Sequence, residues 1–212
     1  MTTRTALLLL GAFALIAARP PMRVQPNPSA VIAAEIGFNR LAQARGQWTA
    51  YRETAAKDAI LFVPQQVTAR DWLKGRADPP QPARWSPAVV YVACDGRLAA
   101  SSGTIQRADG SAGTVTTIWR LDAKGVWRWI MRHDGPRAAS ETAADHLTGK
   151  VATCKRPSGP PPPAGAASPP ADESLLWSAT TTPDGGRRVT VRMWTGEAYE
   201  TVIDDQIVGE GA

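Results

Sequence analysis

The stretch AVVYVACDGRLAASSGTIQRADGSAGTVTTIWRLDAKGVWRWIMRH, residues 88–133, decides the class of fold. Apolar and polar residues alternate along much of it, which is the pattern of β-strands. Asp-Gly or Lys-Gly pairs interrupt the alternation at positions 95–96, 109–110 and 124–125, and such pairs favour the tight turns of β-hairpins. The stretch therefore predicts an antiparallel meander whose strands cover residues 88–94, 98–106, 113–121 and 126–133.

The residues before the meander predict mainly helices. The first helix is expected to have Ser29 as its N-cap and to end at Gly46, because a hydroxyl residue is favoured at the start and glycine at the end. Its apolar residues recur at helical spacing and form one face: Val31, Ala34, Phe38, Leu41 and Ala42. A second helix, a strand and a short helix are expected next, at 48–56, 59–63 and 69–75. Residues 29–155 are thus interpreted as one α+β domain.

Residues 156–171 are interpreted as a proline-rich, semi-rigid linker, since the run PSGPPPPAGAASPP has no apolar residue larger than Ala. The tail beyond it, residues 172–212, alternates like a small β-meander at 175–181, 187–194 and 199–203. A tail of this length rarely buries a core of its own, so it must dock on another surface.

Charge favours docking of the tail on the domain. The domain has 17 Lys/Arg and 11 Asp/Glu, a net charge of +6, whereas the tail has 3 Lys/Arg and 8 Asp/Glu, a net charge of −5. Docking within one chain and exchange between two chains, which would form a homodimer, both stay open.

The first residues have the pattern of a secretory signal peptide. Arg4 precedes the apolar run ALLLLGAFALIAA, residues 6–18, which is shorter than the ~20 residues that a membrane-spanning helix needs. We predict a signal peptide at 1–18, cleavage after Ala18, and a periplasmic or secreted protein with residues 19–28 as a lead-in. An uncleaved membrane anchor is the alternative. No membrane-spanning segment is expected after cleavage.

Export bears on the two cysteines of the sequence, Cys94 and Cys154. They are the only pair, and an oxidising compartment permits a disulfide. Neither has a second Cys or a His at the spacing of a metal site, so no metal is expected. We predict a Cys94–Cys154 disulfide, with two separately buried thiols as the alternative.

Several classes of function find no support in the sequence. It has no phosphate-binding glycine loop, no G-x-S-x-G elbow and no H-E-x-x-H helix, and no cofactor is expected. The basic residues before the meander are dispersed singly rather than in runs, so no nucleic acid is expected as a partner.

The order of elements over residues 29–135 resembles the nuclear transport factor 2-like superfamily, also called SnoaL-like. The residues that carry the resemblance are AEIGFNRLAQARGQWTAYRETAAKDAILFVP (34–64), DWLKGRADPP (71–80), RWSPAVVYVACDGRLAASSG (84–103) and GTVTTIWRLDAKGVWRWIMRHDG (113–135). They are similar to an exported bacterial branch whose members mostly lack an assigned activity. The resemblance implies a cone, in which a curved antiparallel sheet wraps the long helix and leaves a pocket. Relatives include isomerases, dehydratases and binding proteins, so the fold alone names no function.

The resemblance also places the candidate site. Strict alternation puts Trp127, Trp129, Met131 and His133 on one face of the last strand, the face that the resemblance turns into the cone. We predict a ligand pocket lined by Trp72, Trp119, Trp129 and His133. His133 is the candidate general acid or base, with a hydrogen-bonded core histidine as the alternative. The resembling branch usually ends this strand Asp-His-Gly-Asp, whereas this chain has RHDG at 132–135, which moves the carboxylate by one place.

Two functions remain. The first is an exported small-ligand-binding or envelope-associated module with an apolar pocket for a small apolar or aromatic molecule. The second is a cofactor-free enzyme of the isomerase or dehydratase type that uses His133 as acid or base. The shortage of catalytic residue types favours the first.

Overall fold

Three helices and ten strands are formed by residues 24–136, 146–155 and 172–209, which are the residues that the computed structural model describes. The predicted signal peptide and the linker at 156–171 lie outside this part of the chain. The helices are α1 (Pro28–Arg45), α2 (Gln47–Thr54) and α3 (Ala69–Leu73). The strands are β1 (Ala55–Phe62), β2 (Gln66–Thr68), β3 (Arg84–Val92), β4 (Leu98–Gln106), β5 (Ala112–Leu121), β6 (Trp127–Pro136), β7 (Thr148–Val151), β8 (Leu175–Thr181), β9 (Arg187–Trp194) and β10 (Tyr199–Ile207).

The start of α1 differs from the prediction. Its N-cap is Asn27 rather than Ser29, and the Asn27 side chain accepts a hydrogen bond from the backbone N–H of Ala30 at 3.3 Å. Pro28 occupies the first helical position, where its lack of an N–H costs nothing because that group has no partner in a helix. The helix therefore begins at Pro28, one residue before Ser29.

The end of α1 lies at Gly46, as predicted. Gly46 has a φ of 104°, a conformation that favours glycine. A Cβ at this position would collide with the carboxylate of Asp78, which accepts hydrogen bonds from the backbone N–H of Thr49 at 2.9 Å and from its hydroxyl at 2.6 Å. The glycine lets α2 follow α1 directly while Asp78 caps the first turn of α2.

The larger sheet has the strand order β2-β1-β6-β5-β4-β3-β7. Strands β3 to β6 form the antiparallel meander. The sheet is mixed rather than wholly antiparallel, because β1 runs parallel to β6 and β7 runs parallel to β3. Each parallel pair is joined by a long crossover, which parallel strands require. The α+β class is confirmed, and the antiparallel description is corrected at these two pairs.

The larger sheet separates two hydrophobic cores. Val31 and Phe38 of α1 pack on one face of the sheet, against residues such as Val90 and Trp119. The opposite face has a core of its own, to which Tyr91 and other sheet residues contribute. Neighbouring residues of one strand thus enter different cores, as the alternation of a strand requires.

The tail forms the third layer. Strands β8, β9 and β10 make an antiparallel sheet of order β10-β9-β8. Its inner face packs on the second core through Leu175, Trp177, Ala179, Val189, Val191, Met193 and Ile203. The tail sheet therefore packs on the outer face of the larger sheet.

A disulfide joins Cys94, just after β3, to Cys154, just after β7. The two Cα atoms lie 5.1 Å apart, within the usual range for a disulfide. The predicted pairing is confirmed. The bond fastens the end of β7 to the end of the strand with which β7 pairs.

Candidate functional site

The predicted site residues on β6 are rearranged by a β-bulge. Met131 pairs with Ile118 of β5, but Trp129 pairs with the next residue, Trp119, so Ile130 is one residue too many. An extra residue in one strand turns all that follows it to the opposite face. The strict alternation assumed from the sequence therefore fails at Ile130.

His133 consequently lies on the outer face of the sheet, beneath the tail. Its Nδ1 accepts a hydrogen bond from Nε of Arg187 at 2.8 Å, and its Nε2 lies 3.7 Å from Oδ2 of Asp205. Because Nδ1 is an acceptor, the proton of the neutral ring is on Nε2. Burial, and then the charge of Arg187, lower the pKa of His133 to about 4. The prediction that His133 faces the interior between sheet and helix is wrong, and the bulge is the reason.

Arg132 takes the inward position that was predicted for His133. Its Nη1 donates to Oε1 of Glu35 at 3.2 Å and to Oγ1 of Thr117 at 2.6 Å, and its Nε donates to the hydroxyl of Tyr51 at 2.8 Å. The Arg132 and Glu35 side chains are both almost fully buried. An ion pair therefore lies inside the core between helix and sheet. Each buried charge would be strongly destabilising without the opposite charge beside it.

The second oxygen of Glu35 is also bonded. Its Oε2 accepts from Oγ of Ser101 at 2.5 Å and from Nε1 of Trp119 at 2.9 Å. Aromatic rings enclose the cation, since the Arg132 guanidinium carbon lies 4.3 Å from the ring centroid of Trp85. These contacts hold Glu35 and Arg132 in one arrangement, which is what a preorganised binding group needs.

Arg132 keeps donors that the described residues do not use. Its Nη2 is buried and has no hydrogen-bond partner among them. Nη2 lies on the same edge of the planar guanidinium as Nε, which donates to Tyr51. Nη2 is thus an unpaired polar atom inside the core, and such atoms are costly because they lose their hydrogen bonds to water.

A cavity of about 220 Å³ has Arg132 and Tyr51 among its lining residues. Its lining has aromatic, aliphatic and polar side chains: Gln47, Trp48, Tyr51, Leu61, Phe62, Val63, Trp72, Ala83, Ile105, Arg107, Arg132 and Asp134. Apolar walls with a few fixed polar groups are typical of small-molecule sites.

The predicted tryptophans lie at different depths. Trp72 lines the cavity, where its ring meets that of Trp48 edge-on at a centroid distance of 5.1 Å. Trp119 and Trp129 are buried in the core between helix and sheet. Trp119 holds Glu35, and Trp129 donates to Oγ1 of Thr54 at 3.0 Å. These two rings therefore belong to the core beneath the cavity and are not among its lining residues.

The rim of the cavity carries a second ion pair. Oδ2 of Asp134 accepts from Nε of Arg107 at 3.2 Å and from Nη2 of Arg107 at 2.7 Å. Asp134 is two residues from Arg132 on β6 and lies on the same face. The rim thus has a paired cation and anion, Arg107 and Asp134, as the core has in Arg132 and Glu35.

A wider groove of about 760 Å³ lies elsewhere, against α2, β1 and α3. Its lining residues are charged or aliphatic and include Arg52, Lys57, Arg70 and Lys74. Arg52 is already bonded to the carbonyl oxygens of Leu73 and Arg76 at 3.0 Å each. We place the candidate site in the smaller cavity because aromatic walls and a few polar residues line it.

Two further findings concern the described residues only. No cluster of three or more His, Cys, Asp or Glu side chains is placed to hold a metal ion there. Within the same residues, no helix combines the length and the apolar character needed to cross a membrane.

Glu35, Tyr51 and Arg132 were missed as site residues by sequence reasoning. A signal was present for Glu35, because it stands four residues after Val31 and three before Phe38 and so falls on the apolar face of α1. A carboxylate on such a face requires a buried partner. No comparable signal marks Arg132, whose inward direction depends on the bulge.

Comparisons with known proteins show a similarity of fold to solved structures and no match by sequence. No family model matches the sequence, and no curated protein matches it either. A candidate ketosteroid isomerase from Parabacteroides distasonis has 17% identity and a TM-score of 0.41, over 56% of this chain and 98% of that one. A nuclear transport factor 2-like superfamily protein from Salmonella enterica serovar Typhimurium has 14% identity and a TM-score of 0.39, over 54% of this chain and 96% of that one. The chain is similar to these two solved structures over little more than half of its length.

Proposed function

We propose that this chain is an exported module that binds a small, largely apolar or aromatic molecule. The observation that carries the proposal is the cavity of about 220 Å³ whose lining combines aromatic and aliphatic side chains with a few polar residues, Arg132 among them. Apolar walls supply the affinity for such a ligand, and the polar residues of the lining fix its orientation. The acid–base alternative has no support at this cavity, because it depended on His133 and that side chain lies between the two sheets.

Export rests on the signal-peptide pattern of residues 1–18 and is supported by the Cys94–Cys154 disulfide, which is typical of oxidising compartments. The test is expression of the full chain in a Gram-negative host, followed by N-terminal sequencing of the periplasmic fraction. A mature protein that begins at or within a residue of Arg19 is expected. Recovery of intact Met1 in the membrane fraction would show an uncleaved anchor instead. We also propose that residues 29–155 form the domain and residues 172–212 form the tail.

Ligand binding is tested by obstruction of the cavity mouth. Val63 lines the cavity and the residue is 38% exposed, so Val63→Trp adds a large ring at the rim without a change to the core. Val126, 43% exposed and not among the lining residues, gives the matched control Val126→Trp. Protein purified from its host is examined by native mass spectrometry for a retained small molecule.

The expected result is a bound molecule on the wild type and on Val126→Trp but little on Val63→Trp. Trp48 and Trp72 line the cavity. Added aromatic compounds should therefore quench the tryptophan fluorescence of the wild type and of Val126→Trp more than that of Val63→Trp. Equal retention by both variants would place the ligand elsewhere. A wild type that neither retains nor takes up any aromatic compound would refute the proposed function.

A further inference from the structure

Unpaired cations line the wider groove of about 760 Å³ against α2, β1 and α3. Lys57, Arg70 and Lys74 are exposed and belong to its lining. Their charged groups have no hydrogen-bond or ion-pair partner among the residues that the structure describes. The groove therefore offers positive charge that is open to a ligand.

Carboxylates near the groove are already engaged with other groups. Asp58 follows Lys57 in the chain, but its two oxygens accept from the guanidinium of Arg120 at 2.6 and 3.0 Å. Arg52, a fourth cation of the lining, lies 3.8 Å from a carboxylate oxygen of Asp78. The charge of Arg52 is thus balanced within the chain, whereas the other three cations of the groove are left without a counter-charge.

The excess charge of the groove fixes the charge of its ligand. Asp71 is the one acidic residue among the described residues that line the groove, so the three unpaired cations exceed it by two charges. A ligand with two negative charges would neutralise this excess. Clefts lined by charge of one sign also raise the local concentration of ions of the opposite sign.

The unpaired cations come from two separate parts of the chain. The lining residues lie in the stretches 52–57 and 70–75. Lys57 belongs to the first stretch. Arg70 and Lys74 belong to the second, where a separation of four residues brings them to one side of α3. Negative charges at two ends of one ligand can therefore each meet a cation.

The size and the remaining lining of the groove favour an aliphatic body between those charges. The volume lies within the ~300–1,000 Å³ that is usual for small-molecule sites. Ala55, Ala56 and Leu73 supply apolar surface. A Cβ at Gly75 would meet no atom within 4 Å, so the groove is open beside this residue. An aliphatic chain gains free energy when it covers apolar surface of this kind.

We infer that the wider groove is a second binding site, for an organic dianion of the aliphatic dicarboxylate class. One carboxylate pairs with Lys57 and the other with Arg70 and Lys74, while the chain between them covers the aliphatic lining. This groove shares no lining residue with the smaller cavity. The inference is therefore independent of the function proposed above.

The test compares four probes on the full chain by isothermal titration calorimetry at low ionic strength: adipate, hexanoate, hexanediol and sulfate. Adipate is expected to bind most tightly. Hexanoate lacks one carboxylate, and the loss of one exposed ion pair should weaken its binding about 1.5- to 5-fold. Hexanediol lacks both charges and should bind about 2- to 25-fold more weakly than adipate. Hexanoate as tight as adipate would contradict the charge of the ligand, and sulfate as tight as adipate would show a site for one compact anion; either result, or no binding of adipate, would overturn the inference.

A matched pair of double variants locates the site. Lys57→Gln with Lys74→Gln removes one cation from each stretch and should weaken adipate about 2- to 25-fold while hexanediol is unchanged. Lys124→Gln with Lys155→Gln removes two exposed cations outside the groove and should have little effect. Because all four side chains are exposed, the free energy of unfolding should change little in either variant.

Two outcomes of these variants would overturn the inference. Equal weakening of adipate in both double variants would show a general attraction of anions to a basic chain. Val63→Trp, which obstructs the smaller cavity, should leave adipate binding unchanged. A loss of adipate binding in Val63→Trp would place the dianion in the smaller cavity instead.

Discussion

Mild acid should destabilise the protein through His133. This side chain is 1% exposed and lies between the larger sheet and the tail, where its Nδ1 accepts from Nε of Arg187 at 2.8 Å. A proton on Nδ1 removes that acceptor and places a second positive charge beside Arg187. The folded chain therefore requires a neutral His133.

The magnitude follows from the pKa. Burial and Arg187 hold the pKa of His133 at about 4 in the folded chain, against 6.5 for an ordinary histidine. Because the folded pKa is the lower one, the unfolded chain takes up the proton first as the pH falls. The stabilisation is complete above about pH 6.5 and is lost progressively toward pH 4. One pKa unit corresponds to about 1.4 kcal/mol, so the full loss is about 3 kcal/mol, with about 2 kcal/mol of it between pH 7.5 and pH 5.

Urea unfolding at a series of pH values measures this effect. The control is His133→Asn, because an amide oxygen can accept from Arg187 in the place of Nδ1 but does not titrate. Other groups that titrate in this range affect both proteins and cancel in the difference. The free energy of unfolding of the wild type should fall by about 2 kcal/mol more than that of the variant between pH 7.5 and pH 5. Parallel curves for the two proteins would refute the reasoning.

Three further predictions concern stability. Glu35→Gln leaves Arg132 buried without its counter-charge and should cost about 3–5 kcal/mol in urea unfolding, whereas Glu53→Gln, in an exposed pair with Arg45, should cost under about 1 kcal/mol. Replacement of both Cys94 and Cys154 by Ser opens a loop with a sequence separation of 60 and should cost about 4 kcal/mol, and a change far below this would show that the bond adds little. After proteolysis within 156–171, the tail should co-elute with the domain on size exclusion even at high salt, because an apolar core holds it and salt does not screen such contacts; a released tail would contradict this docking.

Most strands could be predicted because turn residues and alternation are local signals. β4 occupies the predicted residues 98–106 and is bounded by the predicted Asp-Gly turns. β7 was not predicted, since its sequence TGKV is short and polar and it joins the sheet through backbone pairing with β3. No pattern within such a segment distinguishes a strand from a loop.

The site was less predictable because it depends on pairing between strands. The extra residue at Ile130 leaves no mark in the sequence of β6, yet it exchanges the faces of Arg132 and His133. Trp72 could be placed near a pocket from its aromatic character alone. Glu35 could have been found by the rule that a charge on an apolar helix face needs a partner.

The two ends of the proline-rich segment lie side by side. Cys154 is bonded to Cys94 just before the segment, and just after it Oδ2 of Asp172 accepts from the backbone N–H of Asp95 at 2.6 Å. Because Cys94 and Asp95 are neighbours in the chain, the segment does not have to span a long distance between its two ends. The described residues on either side of 156–171 are thus held together, and the entropy of closing a loop between two fixed ends changes only slowly with the length of the loop. The free energy of unfolding should therefore change little when residues are added to this segment or removed from it.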